Sequence, residues 1–378
     1  MSVSSFLRHF PCIGLVRRSG GVGFCAIFLL FGSPTAANAF QSPADLPAIT
    51  SALSAKVPLL GVARAGERVI AVGIRGHIVY SDDEGKNWKQ ASVPVSTDLV
   101  AVSFPDAKHG WAVGHGGVVI HTSDGGVNWV KQVDGKQLAA LAVSYYEKKV
   151  VDQPSAEMTR VFEQAKALAT DGSTQAFLDV NFESETSGFV VGAFNRIFRT
   201  EDGGKTWMPW MDRTGNVREL HFYSIRNSGG RILLTGEQGM VWELDATNKG
   251  FEAKPTPYKG TLFGSVVAGR NILVFGMRGS LFRSSDGGNT WGKVTVPSQA
   301  GITGGIVLDA QRVLLVSQAG VALFSRDGGL SFEVVKFSQP MSYFGIAGSH
   351  SGMMTLVGSD GVKVEGLPQS SNAGRGVN

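Results

Sequence analysis

Five aspartates recur in one setting. Asp83, Asp124, Asp202, Asp286 and Asp327 each follow a Ser or Thr by two residues, precede a Gly by two, and stand five before an aromatic residue. The copies read Ser81-Asp83-Gly85-Trp88, Thr122-Asp124-Gly126-Trp129, Thr200-Asp202-Gly204-Trp207, Ser284-Asp286-Gly288-Trp291 and Ser325-Asp327-Gly329-Phe332. Carboxylates could serve glycosidic acid–base chemistry. At this spacing a short carboxylate can equally accept the backbone N–H groups of its own turn, with Gly supplying the special dihedrals and the aromatic ring packing on the sheet. The regularity points to the structural role.

A second set could bind anions. Arg75, Arg196 and Arg278 lie in or beside short glycine turns, where guanidinium groups could hold a carboxylate, a phosphate or the acidic tail of a protein partner. The same three residues are also compatible with ordinary solvated arginines. His77, His115 and His121 lack metal-ligand spacing and read as strand and turn residues. No catalytic set, cofactor site or metal site emerges.

These residues are positioned by a repeat. A G-x-x-G element, or a close substitute, occurs at Gly73/Gly76, Gly114/Gly117, Gly192/Asn195, Gly236/Gly239, Gly276/Gly279, Ser317/Gly320 and Gly358/Gly361. Apolar runs such as Val69–Val72 and Ile272–Phe275 precede it and others follow, which predicts hairpins. A tight hairpin needs a positive φ at the second position, so Asn195 is the natural replacement for Gly there. Seven copies about forty residues apart predict an all-β, seven-bladed propeller with Asp-box (BNR) repeats. The long step from Gly114 to Gly192 accommodates one helical insertion. In a propeller the G-x-x-G tips share a face with the connections between blades, and the Asp-box turns open on the opposite face.

The boundaries follow. Residues 1–39 read as a signal peptide: Arg8, Arg17 and Arg18, an apolar stretch, then Ala37-Asn38-Ala39. Residues 40–58 are expected to close the last blade by supplying its missing strand, 59–366 form the propeller, and 367–378 form a flexible tail. The insertion spans 134–175, with one Ser155-capped helix over 156–169 preceded by Tyr145 and Tyr146. The fourth blade is degenerate after Trp242, with Phe251 as its packing residue.

The formal net charge is +4. Three of the basic residues fall in the leader, so the remainder is near neutral and gives no support to nucleic-acid binding. Both cysteines, Cys12 and Cys25, also lie there, leaving a domain held by its core.

The Asp boxes, the G-x-R-G turns at Gly73–Gly76 and Gly276–Gly279, the seven repeats and the leader together resemble the Ycf48/Hcf136 family, across roughly Leu59–Glu365. The resemblance implies a non-catalytic propeller of the photosystem II stability and assembly factors, exported to the periplasm, or to the thylakoid lumen in a photosynthetic source. It implies a protein client or membrane-protein complex as partner, with membrane attachment through that partner. An arginine-rich face contacts the client in the family, and Arg75 and Arg278 match that kind of turn. The predicted partner-binding set is therefore Arg75, Arg196, Arg278, His115, Gln238, Tyr145 and Tyr146. Two other readings stand beside it: an accessory subunit of an RND-type exporter, as some bacterial relatives suggest, and a sialidase-like carbohydrate-active propeller. The sialidase F/Y-R-I-P segment is absent, and no Tyr–Glu pair can be assembled from the inner strands.

Overall fold

The computed structural model describes residues 41–170, 176–348 and 352–367. The expected leader and the tail beyond residue 367 lie outside the described residues. Within them the chain forms seven antiparallel sheets arranged in chain order around an axis. Blade one consists of Leu59–Ala65, Arg68–Gly73, Ile78–Ser81 and Lys89–Gln90, from the axis outwards. The others occupy 99–133, 177–209, 222–253, 262–293, 302–335 and 343–366. The second strand of each blade is packed on both faces by its neighbours, which is why Val69–Val72 and Leu314–Val316 are continuous buried apolar runs.

Each Asp box forms the expected turn. In the first, Ser81 Oγ donates to Asp83 Oδ1 (2.8 Å) and accepts the Gly85 N–H (2.8 Å). Asn87 N–H donates to Asp83 Oδ1 (2.8 Å), and Trp88 Nε1–H donates to the Gly85 carbonyl (3.0 Å). Blade four substitutes Asp245, which accepts Thr247 N–H (2.8 Å) and Thr247 Oγ1–H (2.6 Å). Phe251 is buried and packs edge-on to Phe189 at 5.7 Å.

These bonds predict acid sensitivity. The Asn87 backbone N–H, then its side chain, hold the Asp83 carboxyl down to about 2; Thr290, by side chain and then backbone, does the same for Asp286. An unfolded Asp titrates near 4. A lowered folded value contributes stability that is complete above that pH and is lost as pH falls towards 2. Denaturant midpoints measured from pH 5 to pH 2 should fall mainly below pH 4, and the slope should flatten in Asp83→Asn and Asp286→Asn.

The insertion differs from the sequence expectation by containing two helices: α1, Gly135–Asp152, and α2, Ala156–Thr170. Asp134 caps α1 in a capping box with Gln137, and Ser155 Oγ accepts the Met158 N–H (3.1 Å) at the start of α2. Tyr145 and Tyr146 therefore lie on a helix.

Among the described residues the last sheet has three strands, and the described part of the 40–58 segment, 41–58, does not supply the expected fourth. Its early part instead lies along the connection from blade one to blade two: Ala48 N–H donates to Val93 O (3.0 Å) and Ser96 N–H to Pro43 O (2.8 Å). Only its end reaches blade seven, where Val362 N–H donates to Ala55 O (3.1 Å). Among the described residues the ring closes by packing, with Leu59, Ala71 and Val79 of blade one against Val357 of blade seven.

Candidate functional site: the turn face and the axial channel

The second positions of all seven glycine turns have positive φ: Gly76 (72°), Gly117 (64°), Asn195 (57°), Gly239 (71°), Gly279 (65°), Gly320 (74°) and Gly361 (86°). In the first turn His77 N–H donates to Ile74 O (3.1 Å) and Gly73 N–H to His77 O (2.9 Å), so the loop holds three residues, 74–76. The two-residue loop that two tip residues between the glycines of each G-x-x-G would predict occurs in blade seven, where Gly358 pairs with Gly361. In five turns the preceding residue is also left-handed: Arg75, Gly116, Phe194, Gln238 and Arg278.

Arg75, His115, Gln238 and Arg278 are exposed on this face, as expected. The Arg75 N–H donates to Asp98 Oδ1 (2.8 Å), His115 N–H donates to Asp98 O (2.9 Å), and Gln238 Oε1 accepts from Arg218. Arg196 is not with them. It is buried, its guanidinium lies 5.5 Å from the Phe177 ring centroid, and burial pulls its pKa down to about 10. It follows the left-handed Asn195, and the same position in other blades, His77, Val118 and Ser280, is also buried.

Tyr146 is buried too. Its hydroxyl donates to Asp212 Oδ1 (2.8 Å), Lys149 Nζ pairs with the other oxygen, and burial, then the Asp212 charge, push the phenol pKa upward. Tyr145 is half-buried against Tyr146, with ring centroids 5.0 Å apart. The insertion nevertheless reaches the turn face: a Cβ on Gly135 would lie 2.7 Å from Gly116 O, and Gln164 Nε2–H donates to Phe194 O (2.8 Å).

Sequence reasoning missed an aromatic strip on the same face. The exposed Phe194 ring stands 4.4 Å from His221, and His221 stands 6.3 Å from Tyr223, which is 5.7 Å from Phe263. His221 Nδ1 and its backbone N–H both reach Glu237 Oε2 at 2.9 Å. The strip runs to the axis because the second residue of every inner strand is skipped in the pairing register. The skipped residues are Leu60, Val100, Leu178, Tyr223, Phe263, Thr303 and Phe344. Such bulges re-aim side chains, and these seven form a largely apolar collar around a channel of about 590 Å³. On the opposite face, half-buried His109 Nδ1 lies 2.9 Å from Asp106 and 3.5 Å from Glu185, a polar trio beside the second Asp box.

Fold and site define a seven-bladed Asp-box propeller with an exposed ring of turns and a collared axis. The sequence profile of the family described as photosynthesis system II assembly factor YCF48 matches residues 80–159 and 156–265. The photosystem II assembly lipoprotein Ycf48 of Synechococcus sp. (strain CC9902) is 26% identical over 310 residues, covering 73% of this chain and 87% of that protein. The HCF136 stability/assembly factor of Arabidopsis thaliana is 24% identical over 266 residues, covering 60% of this chain and 64% of its own. The solved structure of YCF48 bound to D1 peptide superposes with a TM-score of 0.62 at 17% identity, covering 86% of this chain and all of that one. The WD40 propeller domain of Doa1 reaches 0.58 at 9% identity. The chain belongs to the Ycf48-like family.

Proposed function

We propose that this chain is an exported, non-catalytic assembly factor, working in the periplasm, that holds a segment of a protein client on its turn face. The observation that carries this is a local cost retained without structural need. Arg75, Phe194, Gln238 and Arg278 hold side chains in left-handed backbone, which costs an L-residue about 1–2 kcal/mol. Gly116 shows that the fold accepts glycine at the equivalent place. Strain kept at exposed positions is characteristic of binding sites, and loops on a rigid scaffold are the usual place for recognition. The photosystem II assembly factors named above support a protein as the ligand. Among the described residues no helix is long and apolar enough to cross a membrane.

The test is crosslinking in the native cells with wild type, Arg75→Glu/Arg278→Glu and Arg75→Gly/Arg278→Gly. Capture should drop at least tenfold in the charge-reversed protein, whose thermal midpoint should stay close to wild type. The glycine pair should be more stable by about 1 kcal/mol per site and should also lose the client. Unchanged capture by both variants would remove the arginine turns from the interface. Capture of an exporter permease alone would favour the accessory-subunit reading.

A further inference from the structure

Inside the collar, among the described residues, the channel lining carries a cation held in place, Arg226. Asp179, buried on the inner strand of blade three, accepts the Val180 N–H on Oδ1 (2.9 Å) and the Ile225 N–H on Oδ2 (2.8 Å). Its Oδ2 also pairs with Arg226 Nη1, which donates in addition to Ile225 O (2.9 Å). Both carboxylate oxygens are thus occupied, while the Arg226 side chain remains 46% exposed in the channel. The guanidinium is held from one side, leaving Nε and Nη2 for another acceptor.

A second, independent observation lies next to it. Ser265 lines the same channel, is 4% exposed, and its Oγ has no hydrogen-bond partner among the described residues. Val267 N–H donates to Ser228 Oγ (3.0 Å), so two residues back along these parallel inner strands Ser265 stands level with Arg226. A buried hydroxyl without a partner costs about 1–3 kcal/mol and calls for an explanation. An exposed guanidinium edge and an unpartnered hydroxyl on the lining of one channel are together a donor set for a carboxylate. Two to three residues earlier on the same strands stand the rings of Phe263 and Tyr223, roughly 7–10 Å away at the strand rise.

We propose that the axial channel is a binding site for a carboxylate carried on a small apolar or aromatic body. The charge sits on Arg226 and Ser265, and the body lies against Tyr223 and Phe263. The carboxylate comes either on a free small molecule or on an acidic side chain of a polypeptide.

Three probes separate these cases in ligand-observed NMR titrations of the full exported chain: 3-phenylpropionate, its neutral amide, and the blocked peptide acetyl-Phe-Asp-amide. Wild type should bind the acid at least tenfold more tightly than the amide, since a desolvated charged hydrogen bond is being compared with a neutral one. That preference should vanish in Arg226→Gln. In Ser265→Ala, a small change that leaves the ion pair intact, acid affinity should fall about three- to tenfold. Tighter binding of the peptide than of the free acid assigns the site to a polypeptide carboxylate, and the reverse assigns it to a metabolite. Equal affinity for acid and amide, or undiminished acid binding in both variants, overturns the proposal. Because the probes are defined compounds, the outcome is independent of whether a client is captured on the turn face.

Discussion

Replacing Gly76 by alanine is expected to lower the unfolding free energy by about 4 kcal/mol or more, beyond the ordinary range for a single substitution. Two costs coincide there. The backbone is left-handed at φ 72°, and a Cβ would stand 2.0 Å from the carbonyl oxygen of Val95 in the connection to blade two. The first cost is about 1–2 kcal/mol; the second moves backbone, because the struck atom is not a flexible side chain. Gly215→Ala separates them, since it has φ 60° with nothing within 4 Å of its Cβ. Chemical denaturation should therefore show a loss near 1 kcal/mol for Gly215→Ala and a several-fold larger one for Gly76→Ala. Equal losses would show that the turn yields and that the blade connection is not wedged against it.

Asp212→Ala, in the connection after blade three, should be the substitution most damaging to the insertion. Asp212 is 5% exposed and holds both the Tyr146 hydroxyl and the Lys149 ammonium. Removing one partner of a buried pair strands the other, at a cost of about 3–5 kcal/mol. The damage should be local, because α1 contacts the propeller chiefly through this residue and through the apolar positions Leu138, Ala142 and Tyr146. Hydrogen exchange should show α1 losing protection while the second strands of distant blades keep theirs. Asp212→Asn, which can still accept from Tyr146, should lose less.

The repeat made the architecture legible. Positive φ at seven turns and carboxylate-centred bonding in five Asp boxes are direct readings of residue type at fixed spacing. Arg196 shows where such reading fails. A turn of two residues would leave it one step beyond the tip and in solvent, whereas the three-residue loop 193–195 makes it the residue that closes the turn, immediately before the returning strand Ile197–Thr200. A shift of one residue reverses side-chain direction, and Arg196 falls on the buried side. Helix α1 does carry a signal in the sequence, the capping box Asp134-x-x-Gln137 followed by Leu138, Ala139, Ala142 and Tyr146 on one face. The collar was hidden for a deeper reason: a bulge breaks strand alternation, so no period-two pattern in Leu262–Ala268 marks Phe263 as an axial residue. Asp179 and Arg226 are charges on inner strands of different blades, and their pairing depends on which blades are adjacent.

The way the ring closes has a consequence for how it comes apart. Between any two consecutive blades the chain itself is a tether. Between blade seven and blade one the described residues share no strand, and the faces meet through apolar side chains and a backbone bond from Val362 to Ala55. That seam behaves like a subunit interface within one polypeptide. It can part while every ladder in the molecule stays intact, so under load or on warming the propeller should uncoil from there as an open arc of whole blades, and a circular permutant cut elsewhere and joined across the seam should resist that opening.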